Sequence, residues 1–188
     1  MRTQWVTAQT GELCRKRIIF VDETGVNLAL ARRYGRALGG ARASGNVPKN
    51  YGESISLIGA IDGSGLIASL TVHGATDTAV MMIFLDQILL PALKPGDCVV
   101  WDNLAVHKTA VVQRLFEKAQ IEVLFLPPYS PDLNPIEMCW SKVKTSLRTA
   151  AARSYENLSE AISAAIKQIT ALDAQNWIRH CGYVSHSL

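Results

Sequence analysis

A chain of 188 residues, 48% hydrophobic and 19% charged, has the size of one domain and enough apolar side chain for a core, which excludes an intrinsically disordered segment. No apolar run reaches the ~18 residues of a membrane span and no charged-then-apolar leader opens the chain, so a soluble, intracellular protein is expected. The net charge of +3 is unevenly spread, with nine Lys/Arg against three acids in residues 1–50 and ten against thirteen in residues 51–188.

The basic excess lies in Arg15, Lys16 and Arg17 and then in Arg32, Arg33, Arg36 and Arg42. It reads either as a phosphate-binding strip or as a solvated loop. Arg17–Asp22 (RIIFVD) is a short β-branched run and predicts a buried strand ending at Asp22. Residues 31–52, rich in Gly, Arg and Ala, predict a long exposed loop, and loops of that length in a compact domain are commonly functional or mobile. The runs SISLIGAID (54–62) and LIASLTVHG (66–74) flank Gly63-Ser64-Gly65 and predict a hairpin. Thr76 or Asp77 can cap a helix that continues to Leu93, with Met81, Leu85, Ile88 and Ala92 inward.

Pro95-Gly96 ends that helix, and CVVWD (98–102) predicts a second apolar strand. A helix over 109–119 and a strand over 121–126 follow. Four prolines make PPYSPDLNP (127–135) irregular, and a helix then runs from 133–136 to Thr149. A last amphipathic helix, capped by Ser154, is predicted to reach Leu172, with Leu158, Ile162, Ile166, Ile169 and Leu172 inward. Three antiparallel strands followed by two strands reached through helical crossovers give an α/β fold, a mixed five-stranded sheet flanked by helices. Cys14, Cys98, Cys139 and Cys181 include no CxxC pair, and they read as reduced cysteines, buried or half-buried, with no zinc site.

Asp22 and Asp102 each close an apolar strand, where a charge is costly unless it is paired or binds a metal. If the two strands are neighbours, their ends share the crevice at the carboxyl edge of the sheet. Two carboxylates there repel unless a cation lies between them, and oxygen ligands favour Mg²⁺ or Mn²⁺ over zinc. Glu137 is the best-placed third ligand, in the first turn of the helix after the proline-rich loop. Ile136, Trp140, Val143 and Leu147 form that helix's inward stripe, and Glu137, Ser141, Lys144 and Arg148 share the adjacent face. The bland reading of Glu137 is a first-turn acid favoured by the helix dipole. Glu23 should point to the opposite face of its strand. Asp62, Asp97 and Asp132 read as turn or cap residues. His107 is either structural or a site residue. No GxSxG elbow, phosphate-binding glycine loop or HExxH motif is present.

IIFVDETG (18–25), VVWDNLAVHK (99–108) and LPPYSPDLNPIEMCWSKVK (126–144) resemble the three signature blocks of mariner-like bacterial insertion-sequence transposases, specifically the insertion sequence 630 family. The 34 residues between Asp102 and Glu137 match that family's spacing. RRYGRALGG (32–40) resembles its loop and WIRHCGY (177–183) its C-terminal ending. The loop departs at Arg36-Ala37-Leu38, where the family has Trp-Ala-Pro. The resemblance covers residues 5–183.

It implies an RNase H-like catalytic domain over residues 17–175, preceded by a linker remnant (1–16) and followed by a C-terminal tail (176–188). It assigns catalysis and metal binding to Asp22, Asp102 and Glu137, with two Mg²⁺ (or Mn²⁺) ions as cofactors. Asn103, His107 and Asn134 are candidates for supporting residues around those acids. Arg32, Arg33, Arg36, Lys108, Lys144 and Arg148 are candidates for DNA backbone contacts. The implied activity is cleavage of double-stranded DNA at the element ends and strand transfer into target DNA, at TA. The implied partners are the element-end and target DNA, a second copy of the chain on that DNA, and an upstream helix-turn-helix segment or separate reading-frame product. The expected location is bacterial, cytoplasmic and nucleoid-associated. Two other readings stand beside this one: a catalytically silent DNA-binding remnant or regulator, and another nuclease of RNase H-like fold.

Overall fold

The computed structural model describes Trp5 and residues 16–32, 34–49, 52–102 and 110–183. Five strands, β1 (Ile18–Val26), β2 (Ile55–Asp62), β3 (Gly65–His73), β4 (Cys98–Trp101) and β5 (Glu122–Phe125), form one sheet in the order β3-β2-β1-β4-β5. β1 pairs antiparallel with β2 and parallel with β4, β2 pairs antiparallel with β3, and β4 parallel with β5. This is the mixed sheet expected from the sequence, in an RNase H-like arrangement.

Among the described residues five helices flank it: α1 (Thr78–Ile83), α2 (Ala110–Lys118), α3 (Ile136–Ala150), α4 (Tyr155–Lys167) and α5 (Ala171–His180). Asp77 caps α1 by accepting from the Val80 N–H. The helical path beyond α1 widens into a π-helical turn over Phe84–Leu89 and closes as a 3₁₀ turn over Leu90–Ala92.

Alternation along the strands divides the core into two layers. On β1 and β4, Ile19, Val21, Val99 and Trp101 face the layer with Phe84, Leu85, Val112 and Phe116. Phe20, Cys98 and Val100 face the other layer, which holds Ile136, Trp140, Val143 and Leu147 of α3 and Leu158 and Ile162 of α4. Asp22 has the parity of Phe20, so its side chain leaves the sheet on the α3 side.

Two expected boundaries move. β1 continues four residues past Asp22, because Glu23, Thr24, Gly25 and Val26 pair with Ile58, Leu57, Ser56 and Ile55. Asp22 therefore sits mid-strand, one residue beyond the last parallel pair, Val21↔Trp101. The last predicted helix is two helices. α4 ends at Lys167, and Thr170 starts α5 with a reciprocal capping box to Asp173, which satisfies two otherwise orphaned N–H groups. Leu172, expected inward, is 66% exposed.

The boundary expected at 175/176 falls inside α5. Beyond that point Ile178, Cys181 and Tyr183 are buried in the α3 layer, while Asn176, Arg179, His180 and Gly182 are exposed. The Tyr183 hydroxyl donates to the Leu133 carbonyl at 2.8 Å, and its ring meets Phe20 edge-on. The described part of the loop expected over 31–52 is irregular apart from a 3₁₀ turn over Leu38–Gly40, and in it Tyr34, Leu38 and Val47 are exposed, as are Arg32, Arg36 and Arg42. Its ends are tied down at Arg153, which donates to the Leu28 and Leu30 carbonyls, and at Tyr155, which bonds the Glu53 backbone.

Candidate active site

Asp22, Asp102 and Glu137 line one cleft of about 430 Å³, together with Asn134 and the proline-rich segment from Leu126 to Pro131. Three elements deliver the acids. β1 carries Asp22, Asp102 follows the last residue of β4, and Glu137 occupies the first turn of α3. β1 and β4 are parallel neighbours, so residues just past the paired run emerge at the same edge of the sheet. The prolines fix the far wall, since each locks φ and removes a donor.

Asp22 is the most constrained of the three. It accepts a hydrogen bond from the Trp140 indole, Nε1 to Oδ2 at 3.2 Å, and another from the backbone N–H of Glu23. Burial pushes its carboxyl from the usual 3.8 up to about 7. The Glu23 bond opposes that rise, the negative charges of Glu137 and Asp102 add to it, and the Trp140 bond opposes it. Among the described residues no lysine or arginine pairs with Asp22. Glu137 is exposed, at the start of its helix.

Asn134 is 4% exposed, and its side-chain oxygen has no hydrogen-bond partner. A buried amide oxygen left unpaired is costly, so an unsatisfied acceptor beside three carboxylates adds to the oxygen-rich character of the cleft. Asn134 also holds the loop, its carbonyl accepting from the Glu137 N–H at 3.1 Å. Among the described residues no three His, Cys, Asp or Glu side chains stand close enough to enclose a metal ion. The acids share the cleft without forming a closed shell.

Sequence reading alone left Trp140 as a core residue and gave Gly59 no role. Gly59 is the register partner of Asp22 on β2. A Cβ there would lie 2.7 Å from Cη2 of Trp140 and 3.1 Å from Cζ2, so only glycine admits the ring. A lone glycine inside an apolar strand pattern is the signal that could have found it.

The candidate DNA contacts divide. Arg32 and Arg36 lie exposed in the long loop, and Lys144 and Arg148 are half-buried on α3 beyond Glu137. Arg33, Asn103, His107 and Lys108 lie outside the described residues. Arg17 leaves the proposed basic strip altogether. Its Nε donates to Asp62 at 2.7 Å, and its Nη1 to Asp97 at 3.0 Å and to the Ala92 carbonyl at 3.1 Å. Asp62 also accepts from the backbone and hydroxyl of Ser64, so it holds the hairpin turn as expected and anchors the clamp as well. Lys16 pairs with Glu122.

A larger, shallower groove of about 700 Å³ runs along α3, lined by Ser141, Lys142, Thr145, Asp173 and Trp177 among others. Several of its polar groups are already engaged. Lys142 pairs with Asp173 and the Gln168 carbonyl, and Thr145 and Thr149 bond carbonyls one turn back. Cys98, Cys139 and Cys181 are buried free thiols, pushed up by burial to about 12, 12 and 11, which removes them as nucleophiles at neutral pH.

Residues 17–159 match the family described as DDE superfamily endonuclease. The chain is 26% identical over 125 residues to the Transposable element Tcb1 transposase of Caenorhabditis briggsae, an alignment covering 64% of this chain and 46% of that protein. Among solved structures, it is similar to the Mos1 transposase paired-end complex with left transposon end, at TM-score 0.78 and 20% identity over 95% of this chain and 56% of that one. The crystal structure of the catalytic domain of Mos1 mariner transposase is matched at TM-score 0.64 and 18% identity, covering 95% of this chain and 83% of that one. The chain thus spans about half the length of the Tcb1 and full Mos1 transposases.

Proposed function

The chain belongs to the DDE superfamily endonuclease family, and from that premise we propose that it is the catalytic domain of a DNA transposase acting through Asp22, Asp102 and Glu137. The observation that carries this reading is the convergence of those three acids, from three separate elements, on one cleft. Within it a half-buried carboxyl faces two further negative charges. A protein that spends stability on such an arrangement gains by receiving a cation there.

The cleft suits a hard divalent cation in its chemistry. Its candidate donors are carboxylate oxygens plus the unpaired Asn134 oxygen, the set that selects Mg²⁺ or Mn²⁺. Structures of Mos1 mariner paired-end complexes have been solved with Mn and with Mg. In this chain Asp22, Asp102 and Glu137 would hold the ions, and Glu137, exposed and with three rotatable side-chain bonds, can swing to close the shell. When bound, two such ions supply Lewis acidity at phosphorus and a nucleophilic oxygen at neutral pH.

The protein's own part is positional. Asp22 is fixed by two hydrogen bonds, the proline wall shapes the cleft, and the α3 dipole favours the negative charge of Glu137 at its N-terminus. The reaction is phosphodiester exchange. Water attacks phosphorus at the element end and the 3′ oxygen leaves, taking up a proton; that 3′-hydroxyl then attacks a phosphodiester of the target, at TA by family likeness, and the target's own 3′ oxygen leaves as the new bond to phosphorus forms. Arg32, Arg33, Arg36, Lys108, Lys144 and Arg148 would hold the DNA backbone without reading sequence. The partners of this reading are the element ends, the target, a second copy of the chain on DNA, and a helix-turn-helix segment or separate product that selects the ends.

Asp102→Asn tests the assignment through Mg²⁺-dependent cleavage of element-end DNA. Undiminished cleavage would sink it. Cleavage of RNA–DNA hybrids in preference to element ends would favour a ribonuclease of the same fold.

A further inference from the structure

We propose that Trp140 is a positioning residue for the Asp22 carboxylate, so that α3 sets the place of two of the three acids at once. The inference rests on the metal-binding reading of Asp22 given above. Trp140 stands three residues after Glu137, and its ring is 1% exposed in the α3 layer. Packing alone would be met by any large apolar side chain on that stripe. An indole adds one donor that needs an acceptor when buried. Here that acceptor is Oδ2 of Asp22, at 3.2 Å and 118 residues away in sequence.

The seat for the ring is built into the neighbouring strand. Gly59 lies directly across from Asp22 in the β1–β2 register, and a Cβ there would come within 2.7 Å of the indole. Glycine weakens a strand interior, so its presence under Trp140 has a local cost that close approach of the ring explains. The indole is also a neutral donor. It resists rotation of the carboxylate and occupies Oδ2 while leaving the negative charge intact for a cation. An arginine in its place would neutralise the acid, as Arg17 does for Asp62 and Asp97. Outer partners of this kind orient ligating carboxylates.

The test is Mn²⁺ binding to the full chain, followed by the electron paramagnetic resonance of free Mn²⁺, with denaturant unfolding measured alongside. Trp140→Phe, which keeps a ring and removes the N–H, is expected to weaken Mn²⁺ binding about 10- to 100-fold. Val143→Ala, a cavity in the same layer with no hydrogen-bond donor involved, should lower stability while leaving Mn²⁺ affinity within about twofold. Wild-type affinity in Trp140→Phe, or an equal loss in Val143→Ala, overturns the proposal. If Trp140→Phe does not fold, Gly59→Ala decides: it keeps the indole but lifts it from its seat, and undiminished Mn²⁺ binding there overturns the proposal. A wild-type chain that binds no Mn²⁺ overturns the metal reading itself, a result distinct from the failure of Trp140 alone.

Discussion

The sheet gathers carboxylates at both of its ends, buried at one and half-buried at the other, and it treats them in opposite ways. Asp97 and Asp102 bracket the four residues of β4, about 16 Å apart for an extended run of that length. At the Asp97 end a partner is built in. Asp62 and Asp97, 4% and 5% exposed, both bond the Arg17 guanidinium. At the Asp102 end, Asp22 meets Glu137 and Asp102 instead. Burying a charge demands compensation in either place. One end carries its compensation in the sequence, whereas at the other the Asp22 carboxyl meets charges of its own sign. On the proposed reading, that difference is what sets the acids of the cleft apart from the acids of the clamp.

Removing the charge at the open end should have the largest effect. Asp22→Asn keeps an oxygen to accept from Trp140 and removes the ionic ligand. Cleavage of element-end DNA should fall on the order of 10³-fold or more, equivalent to roughly 4 kcal/mol of transition-state stabilisation. Single-turnover cleavage with Mg²⁺ measures it, and a loss below tenfold would remove Asp22 from the site. Because Asn relieves the buried charge, the same variant should be no less stable than wild type at pH 8 without metal.

The closed end should respond in the other sense. Arg17→Met leaves Asp62 and Asp97 buried without their shared cation and should cost about 3–5 kcal/mol in urea unfolding, toward the low end because Arg17 is itself 33% exposed. A loss under 1 kcal/mol would mean that the two ends do not differ as argued.

Titration sharpens the contrast further. The Asp22 carboxyl ionises near 3.8 when unfolded and near 7 when folded. Its contribution is therefore fully present below pH 3.8 and is lost as pH rises, since between those values the unfolded chain gives up its proton first. The loss approaches about 1.4 kcal/mol per pH unit, and solvent at the half-buried carboxyl reduces the total to about 2–3 kcal/mol by pH 8. The quantity to measure is the stability of wild type minus that of Asp22→Asn from pH 4 to 8, without metal. A flat difference would contradict the burial of Asp22. Saturating Mn²⁺ should flatten it, because a ligand that binds only the folded state adds stability where the carboxylate is ionised.

How much of this was legible in the sequence follows from the range of each interaction. The strands, the hairpin and the inward stripe of α3 were readable because alternation and helical periodicity are local. Asp102 was readable as a strand-end residue and Glu137 as a first-turn residue, Asp22 only as the last of an apolar run, and the family blocks tied the three together. The extension of β1 past Asp22 was not, since Glu23, Thr24 and Gly25 lack an apolar pattern and their pairing is decided by β2. The break between α4 and α5 had a local signal in Thr170 and Asp173, but the continuing apolar spacing of Ile169 and Leu172 masked it. The Arg17 clamp and the Trp140–Asp22 bond join residues 45, 80 and 118 apart, and no pattern along the chain announces such pairs.

The smallest expected effect concerns the rim of the open end. Among the described residues, three that are not glycine have positive φ: Gln120 at 58°, Tyr129 at 55° and Ala151 at 49°. Ala151 has a structural reason, since it ends α3 in the left-handed conformation that closes many helices. Gln120 likewise lies just past the end of α2. Tyr129 has neither reason: it is fully exposed, on the proline wall of the acid cleft. A left-handed conformation costs a side chain about 1–2 kcal/mol, and glycine gives part of that back through its greater freedom when unfolded. Tyr129→Gly should therefore stabilise the fold by about 0.5–1 kcal/mol, read as a small rise in melting temperature. A fall instead would mean that the ring contributes packing its exposure denies, and the rim would then belong with the closed end of the sheet, where every costly feature is compensated from within.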